Sequence, residues 1–199
     1  MVGGNVLPLG GSDWKKLEES GVRWMFLGTF QLKLDDKGRL NIPVRYREIL
    51  QEKYQGRSQS ADLEIILCYI GPHISAYPRI EWDRLADALS EATALPGLHQ
   101  DARNLEHMLF GNATECPLDT QGRAVIPPHL RTKAQLHSEV TIVGHNRYFE
   151  IWHRQAWEGY DASLQGHELL EIAQKIAELR DARVVARPSL FDDGLRPRL

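Results

Sequence analysis

Two stretches decide the reading of this chain: Asp35-Asp36-Lys37-Gly38-Arg39-Leu40-Asn41-Ile42-Pro43 and Asp119-Thr120-Gln121-Gly122-Arg123-Ala124-Val125-Ile126-Pro127. They share Asp, Gly, Arg, Ile and Pro at the same places, each follows a leucine (Leu34, Leu118), and the offset between them is 84 residues. The chain therefore contains an internal repeat.

A tight turn between two strands needs these residue types at this spacing. Asp35 and Asp119 can accept backbone N–H bonds at the first turn position. Gly38 and Gly122, three residues later, can take the left-handed conformation that closes a type I turn with a bulge. Arg39 and Arg123 then leave the turn first. A long planar cation there suits phosphate oxygens or a guanine edge better than a core. Pro43 and Pro127 end the strand and favour the start of a helix. Each unit reads as strand, turn, strand, helix, with the two strands expected to form a hairpin.

Working outward, Leu32 and Leu34 alternate with Gln31 and Lys33 before the first turn, as in a half-buried strand. Tyr46, Ile49 and Leu50 give the helix from Val44 to about Glu52 one apolar face, with Arg45 and Arg47 off it. A polar loop, residues 54 to 62, precedes a second hairpin of residues 63–69 and 74–77, then an amphipathic helix over residues 79–89. The second half repeats the order: residues 140–143, 148–152 and a helix over 154–164, with Trp157 and Arg154 answering Trp82 and Arg79. Between the halves lie a Leu-Pro-Gly linker and a helix over residues 101–110. Leu169, Ile172, Ile176 and Leu179 predict a further helix, and the residues beyond 186, without period, a disordered tail.

The 199 residues suffice for two small domains, and the net charge of −3 does not announce a nucleic-acid protein. Any such contact needs a local basic face. One is available between Arg23 and Arg47, where Arg23, Lys33, Lys37, Arg39, Arg45 and Arg47 face only Asp35 and Asp36. In the second copy Arg123, Arg131 and Lys133 stand against Asp119. Cys68 and Cys116 are far apart and form no Cys-x-x-Cys, which argues against a disulfide framework or zinc ribbon and fits a reducing cytoplasm. No stretch reaches the length of a membrane span.

A search for catalytic chemistry finds no Gly-x-Ser-x-Gly, no phosphate-cradling glycine loop and no Cys/His pairing at a metal-binding spacing. His167-Glu168-Leu169-Leu170-Glu171 lacks the second histidine of a zinc-protease motif, and His129 and His145 read as solvated. Cys68 reads as buried and inert, and Trp82 and Trp157 as core anchors. The expectation is no enzyme, no cofactor and no metal.

Met25-Phe26-Leu27-Gly28, the first Asp-x-x-Gly-Arg with Leu40 to Pro43, Arg45-Tyr46-Arg47-Glu48, Gly111-Asn112-Ala113-Thr114-Glu115-Cys116 and the second copy together resemble the MraZ family. That resemblance covers Met25 to about Leu179 and implies a bacterial transcriptional regulator. Its implied α+β fold has two tandem AbrB-like β-hairpin and helix repeats forming a pseudo-symmetric β-barrel core with flanking helices. The domains expected are a flexible N-terminal extension (1–24, with Met25 a candidate true start), AbrB-like domains at 25–90 and 112–156 joined by a linker and helix at 91–111, C-terminal helices at 157–185 and a tail at 186–199. The partners implied are double-stranded DNA, at repeated promoter elements of the division and cell-wall gene cluster including its own gene, and further copies of the chain in a ring. The location implied is cytoplasmic and nucleoid-associated. Arg39 and Arg123 match the family's DNA-contacting arginines. Lys37 flanks the first, Gln121 stands in its place in the second, and Lys33, Arg45, Arg47 and Arg131 supply basic surroundings. The rival reading is an antitoxin-type module whose partner is a protein.

Overall fold

The computed structural model describes residues 25–54, 63–94, 97 and 99–164. The N-terminal extension, most of the polar loop, the helix expected over Leu169 to Leu179 and the expected C-terminal tail lie outside the described residues. The chain divides into two compact units, one ending at Trp157 and one starting at Glu158. Of the second, the described part is the end of the helix Arg154–Ser163 and Leu164.

The elements follow the expected order. They are β1 (Thr29–Lys33), β2 (Arg39–Asn41), α1 (Val44–Ile49) with a wider π-helical turn at Leu50–Tyr54, β3 (Glu64–Ile70), β4 (His73–Pro78), α2 (Arg79–Thr93) and α3 (His99–Phe110). The second repeat supplies β5 (Ala113–Pro117), β6 (Arg123–Val125), α4 (Pro128–Lys133), β7 (Glu139–His145), β8 (Tyr148–His153) and α5 (Arg154–Ser163). Pro43 and Pro127 stand as N-caps of α1 and α4, and their carbonyls accept the first helical bonds from Arg47 and Arg131. No helix among the described residues is long and apolar enough to cross a membrane.

The strand pairing differs from two self-contained hairpins. Across each turn the chain makes one bridge with itself, Leu34 to Leu40 and Leu118 to Ala124. Beyond that bridge the repeats exchange partners. β1 pairs with β7 of the second repeat, β5 pairs with β3 of the first, and β2 pairs with β6. The six-stranded antiparallel sheet thus has the order β1-β7-β8-β4-β3-β5, which reads the same from either end once the repeats are interchanged. Bonds outside the strands obey the same symmetry, since Leu34 N–H donates to Ser138 and Leu118 N–H to Leu63, both at 2.8 Å. A strand edge left open beyond the turn must find partners for its N–H and C=O groups, and the other repeat supplies them. The strand pairing leaves this sheet unclosed, so the architecture established is α+β with a large antiparallel sheet and a separate two-stranded ribbon.

One core is shared by both repeats. Phe26, Leu40, Ile42, Tyr46, Ile65 and Leu67 from the first, and Ala124, Ile126, Leu130, Val140, Ile142 and Phe149 from the second, are all fully buried. Each large aliphatic or aromatic side chain so buried contributes roughly 1.5–3 kcal/mol relative to exposure. On the other face of β3, Ile66 and Cys68 pack with Trp82 and Leu89 of α2 and Leu109 of α3. Trp82 is a core anchor as expected. Trp157 departs from its expected role, for it is only half-buried and lies edge-on to Trp152.

Candidate nucleic-acid interface

The two repeated turns are built alike to a few tenths of an ångström. Asp35 accepts the backbone N–H groups of Lys37 (3.0 Å) and Arg39 (2.8 Å) on one carboxylate oxygen, and Arg39 Nε (2.6 Å) on the other. Asp119 does the same for Gln121 (2.9 Å), Arg123 (2.9 Å) and Arg123 Nε (2.7 Å). Gly38 and Gly122 close the turns at φ +77° and +74° and donate to Asp35 and Asp119 carbonyls at 2.8 Å. Only glycine takes that conformation without strain. The backbone N–H of Arg39, and its guanidinium, hold the Asp35 carboxyl below its usual range, and Arg123 does the same to Asp119.

The structure adds to the sequence reading. Arg39 and Arg123 leave the turn first in that reading, and in the structure each also folds its Nε edge back onto the aspartate four residues earlier. Their side chains remain about one-third exposed, at 33% and 29%. An arginine tethered by a charge-assisted bond has less conformational freedom to lose on meeting a ligand. The signal was present in the sequence, for both copies place Asp four before Arg.

The two arginines are brought together by β2 and β6. The register sets Arg39 opposite Val125, Leu40 opposite Ala124 and Asn41 opposite Arg123. Leu40 and Ala124 point into the core. By the strand period of two, Arg39, Asn41, Arg123 and Val125 share the opposite, outward face, with the arginines on one diagonal. Asn41 and Val125 were not among the residues singled out from the sequence, because hairpins folded within each repeat would have kept them apart.

The other basic residues fall into separate roles. Arg47 and Arg131, at matching places in α1 and α4, each cover the turn of the opposite repeat. A Cβ on Gly38 would stand 3.0 Å from Arg131 Nε and Cζ, and one on Gly122 would overlap Arg47 Cδ. Arg47 Nη1 donates to the Gln121 carbonyl at 3.3 Å, while the Nε atoms of both arginines are buried without a hydrogen-bond partner. Lys37 is exposed at the tip of the first turn, and Arg45 lies 3.9 Å from Glu48 on α1. Lys33 stands opposite Glu139 across the β1–β7 pair. The ribbon is extended at both ends by Ile42 N–H to Gly122 (3.1 Å) and Ile126 N–H to Gly38 (2.8 Å). No cluster of three or more His, Cys, Asp or Glu suited to a metal ion occurs among the described residues.

Comparison with known proteins bears on this arrangement directly. Residues 25–104 and 109–179 match the sequence profile of one family, described as "MraZ protein, putative antitoxin-like". The chain belongs to the MraZ family. A relative from Roseiflexus sp. (strain RS-1), named transcriptional regulator MraZ, is 38% identical over 156 residues, covering 78% of this chain and 99% of that protein. The protein of the same name from Thioalkalivibrio sulfidiphilus is 39% identical over 133 residues, 67% of this chain and 83% of its own. That from Pseudomonas putida (strain F1) is 36% identical over 160 residues, 79% and 98% of the two chains. Membership in the MraZ family accords with the two interlocked repeats, since the matched segments together include both turns and the eight strands found among the described residues.

Proposed function

We propose that this protein is a sequence-specific DNA-binding regulator of transcription that reads the major groove with the outward face of the β2–β6 ribbon. One observation carries the reading: the exchange of strands between repeats sets Arg39 and Arg123 on a single two-stranded surface, each held by its turn aspartate. A two-stranded ribbon fits the major groove, and arginine is the side chain that best meets a guanine edge. Lys37 at the first turn, with Lys33, Arg45, Arg47 and Arg131, supplies phosphate contacts that position the protein without reading sequence. The family name carried by the relatives supports transcription as the process.

The finer assignment follows the family resemblance. The targets are repeated promoter elements of the division and cell-wall gene cluster, including the protein's own gene. The ribbon and the large sheet act together as a barrel core, copies of the chain assemble in a ring that presents several ribbons to successive elements, and the protein works in the cytoplasm on the nucleoid.

The test is a fluorescence-anisotropy titration of the wild type and the Arg39→Ala, Arg123→Ala double variant on the DNA upstream of the gene, beside a scrambled duplex, at two salt concentrations. Binding that favours the native fragment, weakens with salt and is lost in the variant supports the proposal. Equal binding to both duplexes by both proteins refutes it and favours a protein partner.

A further inference from the structure

We infer that Asn41 and Val125 set the base preference on the two sides of the ribbon and make the preferred DNA element asymmetric. The inference rests on the DNA-reading role proposed above and names the residues that would give it sequence content beyond the paired arginines.

The outward face of β2–β6 is a square of four side chains. Arg39 faces Val125 across the ribbon, and Asn41 faces Arg123. Along each strand the two outward residues stand about 7 Å apart, and across it about 5 Å, so the square spans roughly two base-pair steps. The pseudo-twofold relation between repeats carries Arg39 onto Arg123 and Asn41 onto Val125. The arginines obey that symmetry. The other diagonal breaks it, with an amide at one corner and a branched hydrocarbon at the other.

Neither corner is explained by packing. Asn41 is exposed, and Val125 is 51% exposed while its strand neighbour Ala124 is fully buried. Asparagine is depleted in strands, and here it stands on a three-residue strand facing solvent. A residue that breaks a local rule beside candidate ligand contacts is where function is expected.

The chemistry of the two corners differs in kind. An asparagine amide offers a donor and an acceptor that match N6 and N7 of adenine, whereas valine methyl groups suit the C5-methyl of thymine and offer an adenine edge nothing. With one arginine on a guanine at each end, a symmetric face would select a sequence with twofold symmetry. This face would select adenine at one position and a thymine methyl at the symmetry-related one.

The experiment is selection from a random duplex library, followed by sequencing, with the wild type, Asn41→Val, Val125→Asn and the Arg39→Ala, Arg123→Ala variant. Thermal unfolding of each checks that the fold is kept. The expected result is that Asn41→Val retains arginine-dependent binding but loses discrimination for adenine at one position by about 5- to 100-fold. Val125→Asn should gain an adenine preference at the related position, so that each single variant selects a more symmetric element. If both single variants select the wild-type element, the inference is overturned while the arginine-based function stands. If the arginine variant also selects that element, the function and the inference fail together.

Discussion

Arg47 of the first repeat lies against Gly122 of the second, so closely that a single methyl group on that glycine would occupy the space of Arg47 Cδ. Arg131 and Gly38 make the reciprocal contact with slightly more room. Gly122→Ala therefore combines a strained left-handed backbone with a collision, and should cost about 3 kcal/mol in urea unfolding. Gly38→Ala should cost less. Adding Arg47→Ala to Gly122→Ala removes the collision but not the strain, so the double variant should be more stable than the sum of its parts predicts. Strict additivity would show that the arginine moves aside freely.

The turn aspartates predict the acid behaviour. Because hydrogen bonds from Arg39 and Arg123 lower the folded-state pKa of Asp35 and Asp119 below 3.8, the stability they confer is present above that value and is lost as pH falls through the lowered folded value. Unfolding followed from pH 6 downward should show this loss, and it should diminish in Asp35→Asn and Asp119→Asn.

Cys68 is fully buried, its thiol 3.2 Å from the Leu109 carbonyl, and burial pushes its pKa up to about 11. Burial raises that of Cys116 as well. A colourimetric thiol reagent at pH 8 should modify neither in the folded protein, and both should react together at the global unfolding transition. Reaction of either one in native buffer would reveal local opening of β3 or β5.

Tyr46 Oη donates to the Leu27 and Gly28 carbonyls at 3.2 and 3.3 Å, and a Cβ on Gly144 would collide with that hydroxyl and with the Phe26 carbonyl. Gly144→Ala should cost roughly 2–4 kcal/mol. Tyr46→Phe alone should cost about 1 kcal/mol for the lost hydrogen bond. Combined with Gly144→Ala it should recover only part of the loss, since the clash with the Phe26 backbone remains.

How far the fold was legible follows from which signals are local. The turns at Asp35 and Asp119, the helices after the prolines and the buried Cys68 each rest on a few adjacent residues, and the sequence shows them. The exchange of strands does not rest on adjacent residues. Leu32, Leu34, Leu40 and Ile42 alternate identically whether β1 pairs with β2 or with β7, so only the partner's register separates the two. The same gap hid the outward pairing of Asn41 with Arg123 and the placement of Arg47 over Gly122. Two matched ion pairs, Glu64 with Arg79 at 3.0 Å and Glu139 with Arg154 at 3.4 Å, were visible in principle as one repeated spacing.

The covalent joining of two interlocked repeats has an evolutionary consequence. In a dimer of identical halves every substitution is made twice, so a residue that helps one side but clashes on the other is barred. A tethered pair escapes that rule. Tyr46 sits with a glycine at Gly144, while the matching places hold the opposite sizes, Leu130 and Tyr69. The halves differ in side-chain size at these matching places inside and, at Asn41 and Val125, in chemistry outside. The linker thus does more than hold the repeats at high local concentration: it lets one side of a twofold surface change while the other keeps its task.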